Sequence, residues 1–311
     1  MKLANSTLYI SVVVPLFQAE KTVKELVGRL DAILKKTCAT YEIILVDDHS
    51  EDGTWESVVS IARGMTSLKG IRLSRNFGQH HAITAGLDLA RGEWVVVMDG
   101  DLQDLPEEIP NLVSKANHGY DVVLARRKDR RDSWIVKTGS TVFYRLLAYL
   151  SGSPQDAAVG NFGIYHRTVI AELMRMKESI RYFPAMVKWV GFKQTTYDVK
   201  HAPAGDGISR YNFRKRFHLA LNTLLAYSDK PLRMVIKMGF WIAFLGFIYA
   251  LITFFRYLFG AILVPGYASI IVSIWVLSGL VLMTLGVVGL YVGKIFEGVK
   301  NRPLYIVEKS T

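Results

Sequence analysis

Two aspartates separated by one glycine are the residues of this chain best suited to holding a divalent cation. Asp99, Gly100 and Asp101 follow an apolar run, and the glycine lets both carboxylates turn toward one ion with no side chain between them. Carboxylate oxygens are preferred ligands of Mg²⁺ and Mn²⁺, and an ion held by few of them keeps positions for substrate phosphates. The spacing therefore predicts a Mg²⁺ or Mn²⁺ site that neutralises a diphosphate leaving group.

The elements that would position these aspartates alternate along the first part of the chain. The apolar runs predicted as strands are Tyr9–Pro15, Tyr41–Val46, Gly70–Leu73, Trp94–Met98 and Asp121–Ala125. The helical patterns between them lie near Glu20–Lys36, Thr54–Arg63, Gln79–Ala90 and Pro106–Asn117. Near-continuous apolar strands between helices are typical of an α/β fold, with a mostly parallel sheet covered on both faces.

Polar residues follow three of the predicted strands. Ligands of such sheets bind beyond the carboxyl ends of the strands, where Asp48, Arg75 and Asp99 follow strands two, three and four. Asp47 and Asp48 are also compatible with a helix cap or a turn, but their position opposite Asp99 favours a nucleotide contact. The chain has neither a GxGxxG nor a P-loop pattern, which disfavours dinucleotide oxidoreductases and P-loop NTPases.

Two long apolar runs near the C-terminus predict a hairpin of membrane-spanning helices. Ile236–Phe255 contains one charge and Ala268–Val292 contains none, and each run is long enough to cross a hydrocarbon core of about 30 Å. Pro265 and Gly266 indicate a turn between them, and glycines in the second run favour helix packing and self-association into a homo-oligomer. The alternative is a pair of buried helices in a large globular core, which the length and uniformity of the second run disfavour.

The charge balance predicts an anionic partner. Lys and Arg number 38 against 27 Asp and Glu, a formal net charge of +11, which suits nucleic acid, phosphorylated molecules or an anionic membrane. Basic residues flank the apolar pair while its loop carries only Arg256, so the positive-inside bias places both termini and the large domain in the cytoplasm, at the inner or plasma membrane. No nucleic-acid motif is present, which disfavours a nucleic-acid partner. The single cysteine, Cys38, excludes an internal disulfide and a cysteine-based zinc site.

We therefore predict four regions. They are a catalytic domain over 1–208, a basic amphipathic helix over 209–233, two transmembrane helices over 234–293 and a cytosolic tail over 294–311. The basic helix is expected to lie among the lipid headgroups, and the alternative is an ordinary helix packed on the soluble domain.

Several segments together carry a resemblance to a known family. VVVPLFQAEKTV, ILVDDHSEDGT, LSRNFGQHHAITAGLDLARGEWVVVMDGDLQDLPE and the terminal hairpin resemble the family 2 inverting glycosyltransferases. Within that family they are most similar to the polyprenyl-phosphate glycosyltransferases, which include dolichyl-phosphate mannose synthases and bacterial O-antigen glucosyl-carrier synthases. The resemblance implies a GT-A (Rossmann-like) domain, a divalent metal, a nucleoside diphosphate sugar donor with UDP preferred, and an undecaprenyl or dolichyl phosphate acceptor. The product would enter cell-surface glycan assembly, such as that of lipopolysaccharide.

The resemblance also implies roles for individual residues. The nucleotide contacts are Pro15, Phe17, Asp48 and Asp99, together with Arg75 at the end of the third strand. The metal and diphosphate residues are Asp99, Asp101 and Gln103, and Arg127 faces the phosphates. The residues that bind the lipid phosphate are Ser209, Arg210, Arg214 and Lys215. Gln18 and Ala19 depart from the family pattern, which has Asn and Glu there.

A second departure concerns catalysis. Gly160–Gly163 reads GNFG where the family often has GDFR, so Asn161 replaces the proposed catalytic aspartate. A lipid monophosphate is already anionic near neutral pH, because its second pKa is about 6, and it needs positioning more than deprotonation. Asp101 or Asp156 could assist, while Asn161 either bonds a sugar hydroxyl or is a buried structural residue.

Two alternatives to this activity remain at this stage. One is a catalytically inactive nucleotide-sugar sensor in the membrane, which the asparagine leaves open and the intact DGDLQ motif disfavours. The other is a glycosyltransferase with a different lipid acceptor. His80 and His81 lack a third ligand at metal-binding spacing and are expected to lie on the surface at a helix start.

Overall fold

The computed structural model describes residues 9–127, 159–176, 178, 181–200, 230–258 and 267–311. The chain divides into two compact units. One unit contains a β-sheet with its helices and includes Arg302–Thr311, and the other contains two long helices.

The first unit is built on an eight-stranded mixed sheet of order β7-β5-β6-β4-β1-β2-β3-β8. The strands are β1 (Tyr9–Leu16), β2 (Thr40–Asp47), β3 (Leu68–Leu73), β4 (Trp94–Val97), β5 (Val122–Arg127), β6 (Val159–His166), β7 (Gln194–Val199) and β8 (Val307–Ser310). Strands β1 to β4 are parallel to one another, and β5 is parallel to β7. Strand β6 is antiparallel to both β4 and β5, and β8 is antiparallel to β3.

The predicted α/β class and all five predicted strands are confirmed. The sheet is mixed rather than mostly parallel, because β6 separates β5 from β4 and reverses direction. That strand contains Asn161 and was not predicted, since its sequence VGNFGIYH has two glycines that interrupt the apolar run.

Helices between the strands bury their apolar stripes on the sheet. They are α1 (Val23–Thr37), α2 (Thr54–Gly64), α3 (Gln79–Leu89), α4 (Ile109–Ala116), α5 (Arg167–Arg175) and α6 (Phe183–Trp189), with a short 3-10 turn at Pro106–Glu108. In α1 the buried residues recur at helical spacing, as in Val23, Leu26, Val27 and Leu30. Every residue of β1 after Tyr9 is buried, as expected for a strand in the middle of a sheet with both faces covered.

The C-terminal residues complete the edge of the sheet. Strand β8 pairs with β3, the Thr311 N–H donates to the Gly70 carbonyl, and the Tyr305 hydroxyl donates to Asp88 at 2.8 Å. The region predicted as a tail over 294–311 contains two structured parts. Its first residues continue a helix to Val299, and its last residues belong to the sheet because β3 offers an unpaired edge.

The second unit contains the helices α7 (Lys230–Leu258) and α8 (Tyr267–Val299). They include the two apolar runs of the sequence, so the prediction of two helices there is confirmed. Within the described part of the chain, no helix meets the combined requirements of length and apolarity for crossing a membrane. The predicted transmembrane hairpin stays a prediction.

Candidate functional site

The carboxyl ends of the four parallel strands meet at one edge of the sheet. Leu16 pairs with Asp47 at the ends of β1 and β2, and the antiparallel β6 brings its first residues to the same edge, with Gly163 opposite Val97. The loops after β1, β2, β3 and β4 therefore lie at the same edge of the sheet as the start of β6. The structure brings Asp48 and Asp99 to this edge, as the sequence predicted.

Asp48 organises the loop that follows β3. It is 3% exposed, and its two carboxylate oxygens accept hydrogen bonds from the backbone N–H groups of Phe77 and Gly78, each at 2.8 Å. Burial raises the pKa of this carboxyl above its ordinary value, although the two backbone hydrogen bonds oppose the shift. Gly78 has φ +96°, a left-handed conformation that other residues adopt at a cost. Asp48 is thus not a simple helix cap, whereas Asp47 Oδ1 accepts a hydrogen bond from the Ser50 backbone N–H at 3.0 Å, as in the predicted turn.

The loop after β1 presents an aromatic side chain beside the same edge. Phe17 is 49% exposed, while Pro15 is buried within the strand. The backbone N–H groups of the next two residues donate to Ser50 and Thr54 at 2.9 Å each, which fixes this loop to the one after β2. An exposed aromatic ring held on a fixed loop is suited to stacking on a nucleobase.

Arg75 lies in the loop that Asp48 holds. Its guanidinium stacks over the ring of Phe77, 4.1 Å from the ring centroid, and its side chain is exposed. This contact places a positive charge beside the strand ends.

The predicted metal motif is a tight turn packed against β1. A methyl group on Gly100 would lie 2.5 Å from Leu16 Cδ2 and 3.2 Å from the Pro15 carbonyl oxygen. The glycine is therefore required for close packing as well as for the reach of the two aspartates. Asp101 is exposed, and its Oδ1 accepts a hydrogen bond from the backbone N–H of Gln103 at 3.0 Å.

Asp99 is half-buried and is held by neighbours on helix α3, on strand β6 and in the loop after β4. Its Oδ1 accepts hydrogen bonds from Gln79 Nε2 at 2.7 Å and from Asn161 Nδ2 at 3.5 Å, and its backbone N–H donates to Asp104 Oδ2 at 3.3 Å. Gln79 and Asp104 were not predicted. Both lie inside the RNFGQ and DGDLQD segments, and the sequence gives no sign that their side chains turn back toward Asp99.

Asn161 is 9% exposed and faces Asp99, so it is both buried and part of the site. Behind it, the Tyr165 hydroxyl donates to the Asn161 carbonyl at 3.1 Å. Tyr165 is fully buried, and burial, followed by the charges of Asp99 and Asp104, raises the pKa of its hydroxyl far above the ordinary value. The phenol therefore stays protonated and serves as a hydrogen-bond donor.

Comparison with known proteins agrees with this arrangement. The sequence model described as glycosyl transferase family 2 matches residues 11–177. The chain belongs to glycosyl transferase family 2. The family and the glycosyltransferase class predicted from the sequence are confirmed, and the GT-A fold expected for the family agrees with the observed α/β sheet.

Curated relatives of this glycosyltransferase match it over nearly their whole length. An uncharacterized glycosyltransferase of Synechocystis sp. is 34% identical over 97% of this chain and 95% of its own length. An undecaprenyl-phosphate 4-deoxy-4-formamido-L-arabinose transferase of Photorhabdus laumondii is 34% identical over 96% of this chain and 93% of its own length. The same enzyme of Proteus mirabilis matches equally well.

Solved structures are less similar. Glucosyl-3-phosphoglycerate synthase from Mycobacterium tuberculosis, solved with Mn²⁺, UDP and glucosyl-3-phosphoglycerate, has 16% identity over 70% of this chain and 77% of its own, with a TM-score of 0.48. TarS residues 1–349 from S. aureus, solved with UDP-GlcNAc, has 19% identity over 71% of this chain and 68% of its own, with a TM-score of 0.47. Both similarities are weak, so they do not identify a ligand for this glycosyltransferase.

The donor set at the metal motif fits a hard divalent cation. Among the described residues, no group of three or more His, Cys, Asp or Glu side chains could hold a metal by itself. Asp99 and Asp101 supply carboxylate oxygens from one turn, and Mg²⁺ or Mn²⁺ would take its other ligands from diphosphate oxygens and water. Such a site is complete only when a substrate is bound.

Some predicted site residues have no described position. Asp156, Ser209, Arg210, Arg214 and Lys215 lie outside the described residues. Arg127 is the last residue of β5, opposite Val199, and β5 ends at the same edge of the sheet because β6 runs antiparallel to it.

His80 lies at the predicted helix start and is partly exposed. This residue is in the first turn of α3, but its Nδ1 is buried and has no hydrogen-bond partner among the described residues. Its ring packs edge-on against Tyr182, with the centroids 5.2 Å apart. Burial, with a smaller contribution from His81, lowers its pKa to about 4, so the imidazole is neutral at physiological pH.

Proposed function

We propose that this glycosyltransferase transfers a sugar, with inversion, from a nucleoside diphosphate sugar to a polyprenyl phosphate. The observation that carries the proposal is the arrangement at one sheet edge of Phe17, the loop held by Asp48, and the carboxylates of Asp99 and Asp101. Phe17 offers a surface for the base, and Asp99 and Asp101 offer carboxylates for a metal-bound diphosphate.

The donor would lie across the strand ends. Phe17 is available to stack on the nucleobase, and UDP is the preferred nucleotide. Arg75 lies in the loop that Asp48 holds. Helix α3 begins at Gln79 beside Asp99, and the positive end of its dipole favours a bound diphosphate. A Mg²⁺ or Mn²⁺ ion held by Asp99 and Asp101, with Gln103 beside them, would neutralise the diphosphate as it leaves.

The acceptor assignment is supported by the relatives. Two of them are undecaprenyl-phosphate sugar transferases that match almost the whole chain. A phosphate oxygen of the carrier attacks the anomeric carbon on the face opposite the diphosphate. The bond between that carbon and the diphosphate oxygen breaks, and its electron pair leaves with the nucleoside diphosphate. Ser209, Arg210, Arg214 and Lys215 would bind the lipid phosphate, since guanidinium and ammonium groups pair with phosphate oxygens.

The catalytic domain would work at a membrane surface, because a long polyprenyl chain does not leave the bilayer. The support is the uncharged run Ala268–Val292 and the apolar side chains exposed on both long helices, such as Phe240 at 66% and Leu282 at 69%. We expect the protein to stay in the membrane fraction after alkaline carbonate extraction, with both termini cytoplasmic in reporter fusions. Release by carbonate would contradict integral insertion.

The activity can be tested on the full chain in detergent. The protein is incubated with Mg²⁺, undecaprenyl phosphate and a panel of radiolabelled nucleotide sugars, and label is followed into an organic-extractable product. We expect metal-dependent transfer from one donor and a loss of about 100-fold or more in Asp101→Asn, because charge stabilisation of a leaving group is usually worth that much.

A matched control makes the same chemical change away from the site. Glu172→Gln on α5, which removes an ion pair with Arg175, should retain full activity. Nucleotide-sugar binding with no transfer to any acceptor would instead favour the sensor, which the neutral Asn161 leaves as the second candidate. Failure to bind any nucleotide would refute the site itself.

A further inference from the structure

Gln79 makes a short side-chain hydrogen bond to the metal motif. Its Nε2 donates to Asp99 Oδ1 at 2.7 Å, across the gap between helix α3 and the turn after β4. Asn161 Nδ2 approaches the same oxygen at 3.5 Å from the start of β6. Two neutral amides from separate elements therefore converge on one carboxylate oxygen, and Gln79 is the closer of the two.

Gln79 also directly follows the two residues that hold Asp48. The backbone N–H groups of Phe77 and Gly78 bond the Asp48 carboxylate, and the next side chain bonds Asp99. Three consecutive residues thus link the carboxylate on the nucleotide side of the site to the carboxylate on the diphosphate side. The left-handed φ of Gly78 sets the direction in which the chain enters α3, and so the placement of Gln79.

The chemistry of an amide suits this position. A carboxamide donates a hydrogen bond and fixes the orientation of the carboxylate, but it carries no charge. A lysine or arginine in its place would pair with Asp99 and offset the negative charge that attracts a divalent cation. Gln79 orients Asp99 without itself neutralising that charge.

We propose that Gln79 is a positioning residue that presets Asp99 for the divalent cation and couples this carboxylate to the loop held by Asp48. The proposal rests on the proposed function, because it takes Asp99 and Asp101 as the metal-binding residues. Residues that orient metal ligands through hydrogen bonds typically change metal affinity by 10- to 100-fold when they are removed. Gln79 is exposed, so its substitution should leave the fold intact.

The test measures metal affinity directly rather than turnover. Mn²⁺ is titrated into the full chain in detergent with UDP present, and UDP is titrated separately without metal, both by calorimetry. We expect Gln79→Ala to weaken Mn²⁺ binding about 10-fold and to leave metal-free UDP binding and the melting temperature unchanged. Gln194→Ala, the same change at an exposed position in β7, should behave as the wild type.

The possible results separate this proposal from the proposed function. Wild-type protein that binds UDP and Mn²⁺, with Gln79→Ala unchanged in Mn²⁺ affinity, would overturn the role of Gln79 alone. An equal loss of metal-free UDP binding in Gln79→Ala would also overturn it, because the residue would then only maintain the shape of the loop. Wild-type protein that binds no Mn²⁺ with UDP present would refute the metal site and the positioning role together.

Discussion

Gly100 separates the two aspartates of the metal motif, and its replacement by alanine tests how tightly the motif is packed. The added methyl group would lie 2.5 Å from Leu16 Cδ2, 3.2 Å from the Pro15 carbonyl oxygen and 3.5 Å from Val14 Cγ1. Leu16 is 1% exposed and belongs to the hydrophobic core. Overpacking of this kind costs about 1–3 kcal/mol, which for a unit of this size corresponds to a fall in melting temperature of roughly 3–10 °C.

The turn rather than the buried strand is the part that can yield. Its outward movement would displace Asp99 and Asp101 relative to each other, so Mn²⁺ affinity in the presence of UDP should fall together with thermal stability. Both quantities are measured on the full chain in detergent, by thermal denaturation followed through tryptophan fluorescence and by calorimetric titration.

Gly28 provides a matched control for the same substitution. It lies within helix α1, and a methyl group there would contact nothing within 4 Å. Gly28→Ala should raise stability by about 0.5–1 kcal/mol, because alanine loses less backbone freedom than glycine in a helix. Gly100→Ala with wild-type stability and wild-type Mn²⁺ affinity would refute the packing argument, and loss of stability in Gly28→Ala would show that the assay does not separate the two environments.

Two further predictions concern buried ionisable groups. Burial disfavours the Glu42 carboxylate, but hydrogen bonds from Ser11, a backbone N–H and Lys69 outweigh this and lower its pKa below the ordinary 4.5. The ionised Glu42 therefore stabilises the folded state above pH 4.5, and this stabilisation is lost as the pH falls through the folded-state pKa. Glu42→Gln should lower the free energy of unfolding, measured in urea, by about 2 kcal/mol at pH 7. The difference from the wild type should become progressively smaller below pH 4.5. A constant difference across that range would contradict this assignment. His80 is held neutral by burial, with a pKa of about 4 against an ordinary 6.5, so acidification from pH 6.5 toward 4 should destabilise the wild type by about 2 kcal/mol. His80→Phe, which keeps an aromatic ring against Tyr182, should lose that acid sensitivity, and an unchanged pH profile in this variant would show that another group is responsible.

Local sequence determined most of the secondary structure of the first unit. The strands β1 to β5 and the helices α1 to α4 begin and end within a few residues of the predicted bounds, because apolar runs and helical spacing are properties of adjacent residues. The strands β6, β7 and β8 were not predicted. Strand β6 contains two glycines, and β8 is a short exposed edge strand, VEKS, whose pairing depends on β3.

The candidate site is likewise predictable from the sequence only in part. The pair Asp99 and Asp101 and the strand-end position of Asp48 follow from a contiguous motif and from the general geometry of parallel sheets. The hydrogen-bond partners of these carboxylates do not follow from any local motif. Gln79 and Asn161 lie 20 and 62 residues from Asp99 in the chain, and no local pattern records that contact.

What the sequence by itself determined is therefore which strands the polar side chains follow and which family the motifs belong to, and it predicts a cation site at Asp99 and Asp101. Only the tertiary structure decided which backbone N–H groups hold Asp48, which amides orient Asp99 and that the C-terminal strand closes the edge beside β3. The physical reason is that strand order and direction bring distant loops to one edge of the sheet. Hydrogen bonds between such loops depend on distances and angles in three dimensions. Residue type and spacing along the chain do not specify these quantities.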